Sequence, residues 1–197
     1  YVIALRVIAI LAILAFFSQR YLIQAQAKNA SIIKTSARQH TYAQRIIYNS
    51  FMLLDDPDSL GRLSLRARIL TDVELMNNGH YGLINGDEEL KLPVIKSQRI
   101  REIYFGQEWN LNQEILNFLY AAKTFAEAPD TAFRGERKAI KDLRGFARSR
   151  FMTALSTLVD QYERDSRKES EFMRNTETIY LGITLFVILL EIIFIFR

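Results

Sequence analysis

The run Lys34-Thr-Ser-Ala-Arg-Gln-His-Thr-Tyr-Ala-Gln-Arg-Ile46 gathers the side chains best suited to bind something. At 100° per helical residue, Arg38, Tyr42, Arg45 and Asn49 share one face. Two guanidinium groups at i and i+7, beside a phenol and an amide, offer charge-assisted donors to a small anion or to another helix. The alternative for the same pattern is a solvated charged face. His40 falls on the opposite side with Ile33, Ala43 and Ile47. There it is either a satisfied core histidine or a pH-responsive, anion-facing group, because imidazole titrates near neutrality.

Catalytic constellations do not emerge. His40 and His80 are far apart in the chain, and no carboxylate spacing resembles a metal site. There is no G-x-S-x-G, no glycine-rich phosphate loop and no H-E-x-x-H. Asp55-Asp56 and Glu88-Glu89 fit loop and capping roles. No catalytic residue, metal or cofactor is therefore expected of this stretch of chain. With 26 Lys and Arg against 22 Asp and Glu, the surplus of positive charge is too small and scattered for a nucleic-acid groove. The absence of Cys excludes disulfide scaffolds and thiol chemistry. A chain opening on Tyr rather than Met is expected to be a piece of something longer.

The elements that would position the arginines begin with two apolar runs. Residues 1–17 carry one charge, Arg6, and residues 179–196 carry one, Glu191. A bilayer core needs about 20 apolar residues per helix, with about 17 as the lower limit. Two transmembrane helices (1–17 and 179–197) are therefore expected around a loop of residues 18–178. The usual orientation places both ends in the cytoplasm and the loop outside, and the absence of Cys permits a periplasmic or extracellular loop. Arg6 lies 12 positions before Ser18, and Glu191 lies 12 positions after Ile179. In antiparallel helices both charges reach the same depth, about 18 Å below the loop-side surface. An intramembrane ion pair, within one chain or across a dimer, would offset part of the cost of each charge in lipid.

The loop is expected to be an all-α, up-down-up-down bundle of four antiparallel helices, the first and last continuous with the membrane spans. On the first, Leu22, Gln26, Asn29, Ile33, Ser36, His40, Ala43, Ile47, Ser50 and Leu54 follow steps of four and three, the spacing of a packed seam. Asp55-Asp56-Pro57-Asp58 is expected to break this helix and to offer an N-cap for a second from about Ser59 to Tyr81, with Leu63, Ala67, Leu70, Val73 and Met76 inward and Gly79, Gly82 and Gly86 fraying its end. A short helix is expected at 97–104. Asn110 and Gln113 resemble a capping box for a third long helix, with Ile115, Leu116, Leu119, Ala122 and Phe125 on one face. A fourth begins near Gly135, with the seam Phe151, Leu155, Leu158, Tyr162, Asp165, Glu169, Phe172, Thr176 and Ile179. Near the membrane the two seams turn polar, at Gln26 and Asn29 on one helix and Asp165 and Glu169 on the other. That weakly packed stretch fits a two-state signal relay, or simply a solvated pair of helix ends.

Ser36-Ala-Arg-Gln-His-Thr-Tyr-Ala-Gln-Arg-Ile46 resembles the A-G-R-Q-R-M-L-S-Q-R-I signature of the N-terminal sensor domain of type IV pilus chemotaxis transducers and nitrate/nitrite sensor kinases. His80-Tyr-Gly-Leu-Ile-Asn-Gly-Asp-Glu-Glu-Leu-Lys-Leu-Pro93 is similar to an H-x-x-L-x-x-G-D-x-x-L-x-L-P pattern of related bacterial sensors. Tyr162-Glu163 with Ser166, and the closing Leu190–Arg197 segment, resemble the passage into their cytoplasmic half. The resemblance implies a periplasmic four-helix sensor, as a homodimer, coupled to a kinase, cyclase or chemotaxis output. His40 stands where nitrate sensors place the arginine that holds the anion across the dimer, and Ala37 where the signature has glycine. The scaffold is implied; nitrate is not.

The expected function is thus the sensory and transmembrane portion of a bacterial receptor, relaying binding of a small anion or a periplasmic protein to a cytoplasmic output. Arg38, His40, Tyr42 and Arg45 are its candidate ligand residues. The rival is a membrane-anchored scaffold that binds another protein and transmits nothing. For the ion pair, Arg6→Glu alone should impair membrane assembly, and adding Glu191→Arg should partly restore it. Absence of rescue, measured as the yield of folded protein in membranes, rejects direct pairing.

Overall fold

The computed structural model describes residues 2–55, 58–129 and 138–195, with side chains described for all of these except 2–5, 8, 138–140, 148 and 194–195. It is all-α. The helices are α1 (Val2–Asp55), α2 (Ser59–Asn85), α3 (Gln98–Phe105), α4 (Leu111–Glu127), α5 (Lys138–Arg148) and α6 (Arg150–Ile195). Among the described residues the only extended pairing is the isolated bridge Asp87–Leu92. The chain divides into two compact units, residues 31–163 and residues 1–30 with 164–197.

In the 31–163 unit, all six helices contribute to one apolar core. Asp58 caps α2 as its sequence position suggests, accepting from the backbone N–H of Leu60 and Gly61 at 3.3 and 3.1 Å. Residues 56–57, also part of that expected break, lie outside the described residues. On α4, Ile115, Leu119, Ala122 and Phe125 are buried as their spacing requires. An aromatic triangle joins α4, α5 and α6: Phe118 lies 5.3 Å from Phe146 and 5.0 Å from Phe151, ring centre to ring centre. Arg150 stacks over Trp109 at 4.7 Å and reaches Glu108 at 3.6 Å, fastening the start of α6 to the loop before α4.

Several expectations are corrected. The buried line on α1 is Ser36, Gln39, Ala43, Ile46, Ser50 and Leu53, whereas His40, Ile47 and Leu54 are half-buried flanks. A helix with partners on more than one side buries a stripe wider than a two-position seam, so its centre shifts by one residue. On α2 the buried line is Ile69, Asp72, Met76, His80 and Leu83, while Leu63 and Ala67 face solvent. The reading by hydrophobicity left the charged Asp72 out of the core and so rotated the face. Gly79 and Gly82 do not fray α2, which continues to Asn85 and ends at Gly86 with φ 84°. The capping box at α4 does not form: Asn110 is left-handed (φ 42°) without a side-chain cap bond, and Gln113 donates instead to Asn117 at 3.0 Å. The fourth helix is two, broken at Ser149, whose hydroxyl accepts from Phe151 N–H at 3.1 Å. Its expected start near Gly135 lies outside the described residues.

In the other unit, α1 up to Ala30 and α6 from Arg164 are lined by uncovered apolar side chains, among them Ile10, Phe16 and Phe17 on α1 and Leu185, Phe186 and Ile193 on α6. Phe172 and Ile179, expected in the α6 seam, are exposed. Among the described residues one helix, Arg150–Ile193, carries a window long and apolar enough to cross a membrane. The opening run 1–17 includes side chains outside the described residues.

Gly79 marks the closest approach of α2 to α1. A Cβ there would collide with Gln39 Nε2 and lie 3.3 Å from Thr35 Cγ2. Gly79→Leu should lower stability by about 1–3 kcal/mol through overpacking, read as a denaturant midpoint. An unchanged midpoint contradicts this approach.

Candidate functional site

The arginine-bearing motif faces a groove of about 550 Å³ between α1 and α2. Thr35, Arg38, Gln39 and Tyr42 come from α1 because steps of three and four return to one helix face. Opposite them stand Asn78, Gly79 and Gly82; Gly79 admits the Gln39 side chain against α2, and Gly82 admits Leu92 and Asp87. Asp87 and Glu89 close the groove from the turn after α2.

Several residues of the second motif have structural roles around that turn. His80 is buried, with Nε2 2.9 Å from Asn112 Oδ1 and its ring 5.7 Å from that of Tyr104. Burial pushes its pKa down, with the Asn112 bond opposing, which keeps the imidazole neutral. Leu83 and Leu92 enter the core, and Gly86 supplies the positive φ that ends α2. Asp87 Oδ1 accepts from Leu90 N–H at 2.9 Å, and the Asp87 and Leu92 backbones exchange bonds of 2.8 and 2.7 Å. The Leu90 carbonyl in turn accepts from Ser31 Oγ, which seats the turn on α1.

The four candidate ligand residues part company. Arg38 is exposed at the groove and Tyr42 half-buried within it. Arg45 is committed elsewhere: its guanidinium lies 3.0 Å from Asp72, a fully buried carboxylate of α2. His40 is half-buried and does not line the groove. Asn49, expected beside Arg38 and Arg45, is buried. The residue missed from sequence is Gln39, which is fully buried at the groove with neither amide atom hydrogen-bonded among the described residues. A polar residue at a core step of α1, and a Gly-x-x-Gly spacing within a helix, were the signals available for it.

The expected relay residues all fall in the other unit. Asn29 Nδ2 donates to Glu169 Oε2 at 2.8 Å, joining α1 to α6. Gln26 is exposed and Asp165 half-buried. Arg6 is exposed and Glu191 half-buried, and no ion pair joins them among the described residues.

No family model, no characterised protein and no solved structure matches the chain.

Burial raises the Asp72 pKa, and the Arg45 charge only partly opposes it. A carboxyl whose pKa is higher folded than unfolded binds more protons when folded. Its contribution therefore favours folding at low pH, and that contribution falls as pH rises from about 4 through the raised value. Asp72→Asn should flatten the pH dependence of the unfolding midpoint across this window. Arg45→Gln should destabilise at pH 7, and the loss should shrink as the pH is lowered and Asp72 takes up its proton. A loss that does not change with pH contradicts the assignment of Arg45 to Asp72.

Proposed function

We propose that this chain is the sensory and membrane-embedded portion of a bacterial transmembrane signalling receptor. In this reading, residues 18–178 are a periplasmic, up-down-up-down four-helix bundle acting as a homodimer. Residues 1–17 and 179–197 are its two spans. Support comes first from the uncovered apolar side chains of α1 and α6, which favour a lipid environment over water. The resemblance of the Ser36–Ile46 and His80–Pro93 motifs to bacterial sensors points the same way.

The observation that carries the signalling half of the proposal is the Asn29–Glu169 hydrogen bond. It ties α1 to α6 in the polar stretch beside the apolar runs, where a contact can be exchanged at low cost. Hydrogen bonds to charged groups contribute about 1.5–3 kcal/mol, and the exposure of Glu169 puts this one at the low end. A ligand that prefers one helix arrangement about tenfold supplies about 1.4 kcal/mol, enough to compete with that contact. Ligand binding in the groove would thus slide or rotate α6 against α1, with Asp165 beside the exchanged contact. Arg6 and Glu191 would meet between copies of the chain rather than within one.

Two experiments test this. Thr71 is exposed on α2, and the chain has no native Cys. Thr71→Cys should react with a membrane-impermeant maleimide in intact spheroplasts; reaction only after lysis overturns the periplasmic placement. Asp165→Leu with Glu169→Leu in the full-length protein should shift its output at fixed stimulus. Unchanged output in every stimulus condition overturns the relay and leaves the scaffold reading.

A further inference from the structure

We infer that proton uptake at His80 opens the junction of α2, α3 and α4 and lifts the turn of residues 86–92 from α1. This acid-sensitive switch belongs to the 31–163 unit and does not depend on the receptor reading. The imidazole Nε2 lies 2.9 Å from Asn112 Oδ1, in the first turn of α4. A carboxamide oxygen only accepts, so Nε2 carries the hydrogen of the neutral ring. Nδ1 is then the atom at which a proton adds. It is buried and has no hydrogen-bond partner among the described residues.

The groups around the ring offer no counter-charge. Tyr81, its neighbour on α2, has its ring centre 5.9 Å away, and Tyr104 of α3 lies at 5.7 Å. Phenols ordinarily titrate near 10. Burial and the neighbouring Tyr162 of α6 hold Tyr104 higher still, so neither phenol is an anion in acid. Asn112 of α4 is uncharged, and no carboxylate pairs with His80 among the described residues. An imidazolium buried without a counter-charge is strongly disfavoured. The closed junction therefore keeps the neutral ring, and the proton selects an arrangement in which Nδ1 reaches water.

Position turns that preference into movement. His80 lies within two turns of the end of α2, and the Asn112 bond ties that end to α4. The turn that follows folds back on α2 at Gly82, where an added Cβ would stand 3.0 Å from Leu92 Cδ1 and 3.3 Å from Asp87 Cβ. The paired backbones of Asp87 and Leu92 close the turn, so it moves as one piece with the end of α2. Its hydrogen bond to α1 is the one that Ser31 Oγ donates to the Leu90 carbonyl. Freeing α2 from α4 thus carries the turn away from Ser31.

Burial lowers the His80 pKa from its usual 6.5, and the Asn112 bond only partly opposes this. The closed junction binds fewer protons than the open one. It is favoured above about pH 6.5 and loses ground below, by up to about tenfold per pH unit. Asp72 acts in the opposite sense, because its raised pKa favours the closed fold in acid.

The test is dipolar spin-label spectroscopy on the whole chain in lipid nanodiscs, at about pH 7.5 and about pH 5. The chain has no native Cys, and His40 and His80 are its two histidines. Labels are placed on Gln44→Cys and Glu88→Cys, both exposed, with labelled chain diluted into unlabelled. Gln44 stands about 20 Å along α1 from Ser31, which keeps the labels well apart. Acid should raise the population of a second distance at least tenfold relative to the first, and neutralisation should reverse the change. His40→Gln should retain the response, and His80→Gln should abolish it. Asn112→Asp supplies the missing counter-charge and should keep the original distance at both pH values. Identical distances at both pH values in the parent chain overturn the inference. So does a response that survives His80→Gln or Asn112→Asp, or one that His40→Gln removes. If His80→Gln is already open at pH 7.5, Asn112→Asp decides: closed at pH 5 supports the switch, and open at pH 5 rejects it.

Discussion

Apolar surface left in water costs about 25 cal/mol per Å², and the unit formed by residues 1–30 and 164–197 leaves large side chains such as Phe16, Phe17, Leu185 and Phe186 uncovered by protein. Such surface favours any apolar cover, and in the proposed reading a lipid bilayer would supply it along a whole helix at once. In the proposed membrane placement Asn29 and Glu169 would lie where lipid gives way to water, where a hydrogen bond between an amide and a carboxylate is less costly than deeper in.

The 31–163 unit solves a different problem. Its core is continuous and mostly apolar, yet it admits Gln39, Asp72 and His80. Two of the three are partnered: Asp72 faces Arg45, and His80 meets Asn112. These pairs fix which faces of α1, α2 and α4 meet, because a buried charge or imidazole without its partner is strongly disfavoured. Gln39 stands apart in having neither partner nor exposure. Gly79 makes room for it, so the groove owes its shape to a missing side chain on α2 as much as to the motif on α1.

Local chemistry was legible in the sequence wherever the cause is local. The Asp58 cap, most of the buried face of α4 and the short α3 follow from capping geometry and periodicity. The one-residue shift of the α1 seam did not, because His40 and Gln39 are equally polar and only the neighbours decide which turns inward. Asp72 was misplaced for the same reason: a carboxylate enters a core only when an arginine on another helix reaches it, and nothing near Asp72 in sequence announces Arg45. This tertiary pairing also explains why Arg45, matched to the signature beside Arg38, is occupied in a structural contact while Arg38 is not.

Spin-label accessibility along α6 decides whether that helix lies in lipid. Single cysteines placed from Ile179 to Ile193, labelled and reconstituted in nanodiscs, should collide freely with molecular oxygen and poorly with a water-soluble nickel chelate. The preference for oxygen should peak near the middle of the run. High nickel accessibility throughout, or protection from both reagents on every face, would contradict a lipid-embedded helix and with it the receptor reading.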